Sequence, residues 1–358
     1  MEPKPRTSPA GRYAGGPYRV AQWSTGTIGR RALRAVVSHP NLTLAGVYSH
    51  SADKHGRDAA ELCDLNTPTG IRATGDIDEI LGHEPDCVLY MPQAWDIDEV
   101  CAILAAGANI VTTCGVFHHP PSMDPEIRAR VAAACSAGDT SIHSTGSSPG
   151  FITEAVPLVL TSIQRRLDSL IIEEYADLSQ RNSPGILFDV MGFGSPPTDF
   201  ARARLDHLRD SFGPSLRLLA DGIGLPLDTV TATGEVATAG HTFTIAAGTI
   251  EQGTVAAQRI TISGEHQGRT VARFRAIWHC GADAETGWDI RPTGWHLSVL
   301  GDAPLEIDMV FPFPLEEMAE HSPSYTANRA VNAVGYVCAA PPGIRTVLDL
   351  PPITATLG

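Results

Sequence analysis

Between Trp23 and the start of a helical pattern the chain reads Ser24-Thr25-Gly26-Thr27-Ile28-Gly29-Arg30. This is the spacing G-x-G-x-x-G with Ser24 in the place of the first glycine. A glycine at 26 lets the backbone approach a pyrophosphate. A glycine at 29 lets helix and strand pack closely, and the helix N-terminus offers amide donors to the phosphates. Ser24, Thr25, Gly26, Thr27, Ile28, Gly29 and Arg30 are therefore candidate dinucleotide-binding residues. A tight strand-to-helix turn that binds nothing has the same spacing, and context separates the two. Here the turn joins a clear strand to a clear helix in a βαβ unit of suitable length.

The end of the second strand distinguishes the two nicotinamide dinucleotides, because an acidic residue there normally accepts from the ribose 2′-hydroxyl of NAD. The chain has Tyr48, Ser49, His50 and Ser51 at that point, and no carboxylate. Hydroxyls at Ser49 and Ser51, with Arg30, His50 and Lys54 nearby, suit a 2′-phosphate instead. NADP(H) is favoured, and Asp53 keeps NAD(H) open as the alternative.

Proton transfer needs a second set of residues. His118 and His119 stand together on one turn, and an unperturbed imidazole titrates near ~6.5, which suits acid/base work; the alternative is a pair of surface-loop histidines. In the apolar run IIEEYADLSQR, strand alternation puts Glu173, Tyr175 and Asp177 on one face and Glu174 on the other. One face is expected to look at the nicotinamide, although an exposed sheet face explains the charges equally well. Glu174 and Tyr175 join the histidines as catalytic candidates. Met91 and Pro92 close the fourth strand, at the edge where ligands of open α/β sheets bind. The seven cysteines are scattered singly, without metal-ligand spacing, and no metal site is expected.

These residues require a scaffold, and 358 residues is long enough for two domains. From Tyr18 to Thr145 short apolar runs alternate with helical patterns. Strands are expected at 19–23, 42–48, 71–74, 87–91, 109–113 and 140–144, with helices at 30–38, 97–106 and 125–137. A helix is expected over 151–166, a Gly/Pro-rich loop over 182–197 and a helix over 198–220. Strands then follow at 229–238, 242–250, 255–264, 270–278, 295–300 and 305–310. The fold class is α/β, with a Rossmann-type parallel-sheet domain and an α+β domain whose sheet is mostly antiparallel. The expected divisions are a flexible tail (1–17), a dinucleotide-binding domain (18–149), a substrate and dimerisation domain (150–322) and a C-terminal segment (323–358). A helix over 325–340 in that last segment is expected to pack back on the first domain.

A net charge of −14 opposes attraction to nucleic acid or anionic membrane surfaces, which leaves small molecules as the expected partners. No apolar stretch approaches the ~18 residues of a membrane span, and no apolar segment of a secretory signal follows the N-terminus. A cytoplasmic location follows as the expectation.

The segments STGTIGRR, VTTCGVFHHPP, STGSSPGF and TANRAVNAVGYVCAAPPGIRTVLDLPP together resemble the native amine dehydrogenases and 2,4-diaminopentanoate dehydrogenases. The cofactor domain of that family is similar to dihydrodipicolinate reductase. The resemblance implies reductive amination of a ketone or aldehyde with ammonia and NAD(P)H, or the reverse oxidative deamination, in a homodimer. It also implies cofactor contacts for Cys114, for Ser147 near the nicotinamide ring and for Asn332 by the carboxamide. The family commonly has T-C-E-E-L-x-Y-P where this chain has Thr113 to Pro120, and its acid/base glutamate is replaced here by Gly115 and Val116. No H-H-x-x-K motif follows, which disfavours dihydrodipicolinate reduction. The loop holding Phe188, Met191 and Phe193 is apolar apart from Arg181, so small, weakly polar ketones or aldehydes fit better than amino acids unless Arg181, Arg275 or Arg291 reaches inward. Trp278, Trp288 and Trp295 read as core or interface residues. A carbonyl or imine oxidoreductase that does not use ammonia, and a non-catalytic NADP-binding sensor, remain as alternatives.

Overall fold

The computed structural model describes residues 16–197, 202–281 and 286–356. Most of the tail expected over 1–17 and the first four residues of the helix expected from Thr198 lie outside them. The chain divides into two compact units, Met1–Phe151 with Pro323–Gly358, and Ile152–Ser322.

The first unit is built on β1 (Tyr18–Trp23), β2 (Leu42–Tyr48), β3 (Ala73–Thr74), β4 (Cys87–Tyr90), β5 (Asn109–Thr112) and β6 (Ser141–Ser144). Its helices are α1 (Thr27–Ser38), α2 (Ala59–Leu62), α3 (Ile77–Gly82), α4 (Ile97–Ala105) and α5 (Pro125–Gly138). A final strand, Gly343–Arg345, adds beside β6, giving the order final-β6-β5-β4-β1-β2-β3, all parallel. Parallel strands are covered on both faces, which is why they read as near-continuous apolar runs. Val20, Leu89 and Val111 pack on one side with Leu33 and Val36 of α1, while Ala21, Val88 and Ile110 pack on the other with Val100 and Ile103 of α4.

The second unit holds β7 (Leu167–Asp177), β8 (Thr229–Thr238), β9 (Phe243–Ile245), β10 (Gly248–Ile250), β11 (Val255–His266), β12 (Arg269–His279), β13 (Gly294–Gly301) and β14 (Leu305–Val310). Six of them form a sheet in the order β14-β13-β7-β12-β11-β8. Only the β7–β12 pair is parallel, so the sheet is mostly antiparallel. β7 therefore has a neighbour on each side. Helix α7 (Arg202–Gly222) covers one face, where Phe212 stacks on Phe274 with centroids 4.3 Å apart.

Four expectations change. Residues 182–197, expected as a loop, carry a helical segment over Gly185–Val190. The single strand over 242–250 is a hairpin of β9 and β10, because Ala246 and Ala247 form the reversal and Gly248 follows at φ 148, a conformation that favours glycine. The helix expected over 151–166 shrinks to α6 (Val156–Thr161). Its predecessor, Ser147–Ala155, is broken by non-helical dihedrals at Ser148, Pro149 and Gly150. Beyond α6 the Asp302 carboxylate accepts from the amides of Arg165 and Arg166 at 3.1 and 2.9 Å, which holds the chain out of helix as it enters β7. The last helix, α8, starts earlier than expected and runs Leu315–Cys338. No helix among the described residues is long and apolar enough to cross a membrane.

Packing of α1 on β1 depends on two residues of the glycine turn. Ser24 has φ 71, the left-handed region that a glycine enters without cost. A Cβ on Gly29 would clash with the Ser24 carbonyl oxygen and lie 3.0 Å from Gln22 Nε2. Ser24→Gly should therefore raise unfolding free energy by about 1 kcal/mol, and Gly29→Ala should lower it by roughly 3 kcal/mol or more. Urea denaturation of the two variants checks both signs.

Candidate functional site

All strands of the first sheet run the same way, so their C-terminal ends share one edge. The strand order changes direction there between β1 and β4, the position at which open α/β sheets form a ligand crevice. The glycine turn occupies this edge. Helices α2, α3, α4 and α5 are each capped by an aspartate, Asp58, Asp76, Asp96 and Asp124, whose side chain accepts from a first-turn amide. Helix α1 has Gly26 at its cap, no side-chain capping bond and no acidic residue in its first turn. A Cβ at Gly26 would meet nothing within 4 Å, so the space over the turn is open. An uncapped helix start, a smooth backbone and room above it fit a pyrophosphate.

The loop after β2 closes over the same turn. Lys54 Nζ donates to Thr25 O at 3.2 Å and reaches Thr25 Oγ1 at 3.1 Å, which sets an ammonium beside the glycine turn. Ser49 is buried, and its hydroxyl accepts from the Ser51 amide at 3.2 Å. His50 is exposed, with Nε2 3.8 Å from Glu99 Oε1. Strand β2 ends at Tyr48, so no carboxylate stands at the strand end itself. Of the cations expected around a 2′-phosphate, Arg30 is committed elsewhere, in an ion pair with Asp64 at 2.9 Å.

Met91 and Pro92 follow β4, and Met91 N donates to Trp23 O at 3.2 Å. Cys114 follows β5; its carbonyl accepts from Ser144 Oγ at 2.8 Å, and burial pushes its thiol pKa up. A short 3-10 turn, Gly115–Phe117, then delivers His118 and His119. Both are buried, 2% and 6% exposed, which overturns the surface-loop alternative, and His119 Nδ1 lies 2.9 Å from Ser122 Oγ. Ser147 Oγ lies 2.7 Å from Thr326 Oγ1 of α8. Asn332 stands six residues further along that helix, half-buried, and its carboxamide bonds to no side chain or backbone group among the described residues.

In the second unit alternation on β7 places the candidates on opposite faces. On one face Glu173 accepts from Arg275 Nη1 at 2.6 Å and from Tyr175 OH at 3.0 Å. The Glu173 side chain is only 12% exposed. The same face carries His296, whose ring nitrogens lie 2.8 Å from Glu306 and 2.8 Å from Asp308. Tyr175, Arg291, His296 and Asp308 line a cavity of about 330 Å³ there. Burial first, and the neighbouring Glu173 second, raise the Tyr175 phenol pKa well above its ordinary value. On the other face Glu174 accepts two indole N–H groups, from Trp278 Nε1 at 3.2 Å and Trp295 Nε1 at 3.1 Å. Glu174 and Tyr175 therefore cannot serve a single point together.

Sequence reasoning missed Lys54's tie to the glycine turn and the two indoles on Glu174. A lysine within reach of the second strand was visible, but its target was not. The tryptophans gave one usable sign, their same-face parity on strands that flank β7. Among the described residues no group of three or more metal-binding side chains forms a metal site.

The chain is similar to an amine dehydrogenase from Streptomyces virginiae, with 28% identity over 343 residues that cover 92% of this chain and 95% of that protein. A shorter likeness, 31% over 64 residues, links 18% of the chain to 23% of a 4-hydroxy-tetrahydrodipicolinate reductase from Nostoc punctiforme. No protein-family model matches the chain. In fold it resembles an amine dehydrogenase from Mycobacterium smegmatis, with a TM-score of 0.73, 19% identity and coverage of 95% and 97% of the two chains. It also resembles a myo-inositol 2-dehydrogenase from Lactobacillus plantarum, with a TM-score of 0.51, 14% identity and 89% of each chain covered.

The Glu173–Arg275 pair is largely shielded, so removing one partner strands the other. Arg275→Met should cost about 2 kcal/mol, and the double replacement with Glu173→Gln should cost less than the sum of the singles. A denaturation cycle measures this, and additive singles would dissolve the coupling. Tyr175 adds a pH dependence. Its phenol pKa is raised in the folded chain, so its contribution is complete below the ordinary ~10 and is lost as pH rises beyond it. Tyr175→Phe should flatten that alkaline loss in melts between pH 9 and 11.

Proposed function

We propose that the protein is an NADP(H)-dependent amine dehydrogenase that reductively aminates small ketones or aldehydes with ammonia and oxidatively deaminates the corresponding amines. The observation that carries the reading is the likeness to an amine dehydrogenase along 92% of the chain, both units included. The open turn at Gly26 supports it from the side of the cofactor.

When bound, a nicotinamide dinucleotide supplies or takes up the hydride. Thr25, Gly26, Thr27 and Ile28 would hold the pyrophosphate through the α1 N-terminus, and Lys54 would add its charge beside them. Ser49, His50 and Ser51 would receive the ribose, with hydroxyls rather than a carboxylate facing a 2′-phosphate. Met91, Pro92, Cys114, Ser147 and Asn332 complete the candidate cofactor wall.

Ammonia adds to the carbonyl to give a carbinolamine, which must lose water as the iminium forms. That step needs a proton delivered to the departing hydroxyl. With Gly115 and Val116 in the place of the glutamate common among the amine dehydrogenases the sequence resembles, His118 and His119 are the proton carriers on the same turn. Their burial keeps bulk water from competing for that proton. A homodimer formed through the charged face of the six-stranded sheet belongs to the same reading. The missing glutamate favours one rival, a carbonyl reductase that needs no ammonia.

NADPH oxidation with a panel of small ketones and aldehydes, with and without ammonium at mildly alkaline pH, tests the proposal. Ammonia-dependent turnover is expected; turnover indifferent to ammonium would establish the rival, and cofactor binding without turnover would point to a sensor. His118→Asn or His119→Asn should lower kcat by roughly 10²–10⁴-fold. Gly26→Val should leave stability within about 0.5 kcal/mol while abolishing NADPH binding, since its side chain fills only the open space. Ser51→Asp should move preference toward NADH by about tenfold or more, read from the two kcat/KM values.

A further inference from the structure

We infer that Glu174, Trp278 and Trp295 form the subsite that receives the cationic nitrogen of an amine or iminium substrate, with Glu174 acting as a fixed negative charge rather than as a proton carrier. The inference rests on the proposed amine chemistry and assigns Glu174 a different task within it.

An indole N–H can only donate. Both Glu174 oxygens accept such a donor, one from β12 and one from β13, at 3.2 and 3.1 Å. This arrangement suits a carboxylate and locks its plane between two aromatic side chains. Each oxygen keeps a further lone pair, and the group is half-buried rather than sealed. A carboxylate fixed in place by two indole donors is a receptor for a small ammonium ion, which gains a charge-assisted hydrogen bond.

The surroundings choose the rest of the molecule. Trp278 packs against the apolar cluster that includes Phe188 and Met191. Ala276 lies beside Glu174 across the strand pair, adding no charge. A primary amine with a short alkyl or aryl tail fits, with nitrogen at Glu174 and tail along Trp278. An amino acid fits less well, because its own carboxylate would be brought toward that of Glu174. On the opposite face the comparable carboxylate, Glu173, is already neutralised by Arg275.

Calorimetric titration of the cofactor-free full chain with n-butylammonium chloride at low salt tests this, with butyrate as the control. Saturable binding of butylammonium is expected, absent for butyrate, weakened at least tenfold in Glu174→Gln, and tightened up to about fourfold for each added methylene. Trp278→Phe, which keeps the carboxylate, should lose most of the tryptophan emission change caused by the amine. Failure of the wild type to bind, unchanged affinity in Glu174→Gln, or a full emission change in Trp278→Phe would each overturn the assignment. Ammonia-dependent turnover alongside any of these results would leave the amine dehydrogenase reading intact and remove only the subsite. Amine binding without turnover would do the reverse.

Discussion

Helix α1 meets the end of β1 at a distance that only hydrogen at residue 29 tolerates, and the rest of the first unit's edge is arranged around that contact. Ser24 must turn through a left-handed conformation to make it. The buried Gln22 carboxamide then ties the region together, donating to Trp23 O, Ser24 O and Leu89 O at 3.2, 2.9 and 3.3 Å. One side chain thereby spans the ends of β1 and β4, the two strands between which the sheet order reverses. That edge is tied by a bonded framework, and the start of α1 beside it is left uncapped while its four neighbours are closed by aspartates.

Much of this was legible in the sequence because it is local. The glycine spacing, the absence of a carboxylate after Tyr48 and the two-residue alternation that separates Glu174 from Tyr175 all depend on neighbours within a few positions. The substitution of Ser24 for glycine was legible too, although its positive φ was not. Where proline and glycine break a pattern, periodicity misleads. Residues 151–166 carry apolar residues at helical spacing, yet Pro149 and Gly150 disrupt the entry and Asp302 captures the exit. Pairing partners were out of reach altogether. The indoles that hold Glu174 come from residues 104 and 121 positions away, and nothing in IIEEYADLSQR announces them.

The six-stranded sheet divides its chemistry between its faces. One face pairs its polar groups with one another: Arg275 with Glu173, Arg291 with Asp308, and His296 between Glu306 and Asp308. The other is apolar under α7 and changes, one row along, to a carboxylate held by two indoles. Adjacent residues of one strand thus enter opposite environments, because in a pleated strand one step along the chain is a change of side. A one-residue slip of register would exchange the two environments and leave Arg275 facing an apolar helix, so the charged pairs also act against misregister.

β7 is paired on both sides along its carboxylate-bearing stretch. Its amides should exchange with deuterium only when the whole unit unfolds, whereas the amides of the short turn carrying His118 and His119 need only a local opening. The two sets of candidate residues would then run on separate clocks. On the proposed roles, a carboxylate that marks one point in space would sit on backbone paired along both edges, and groups that shuttle protons would sit on backbone freer to adjust.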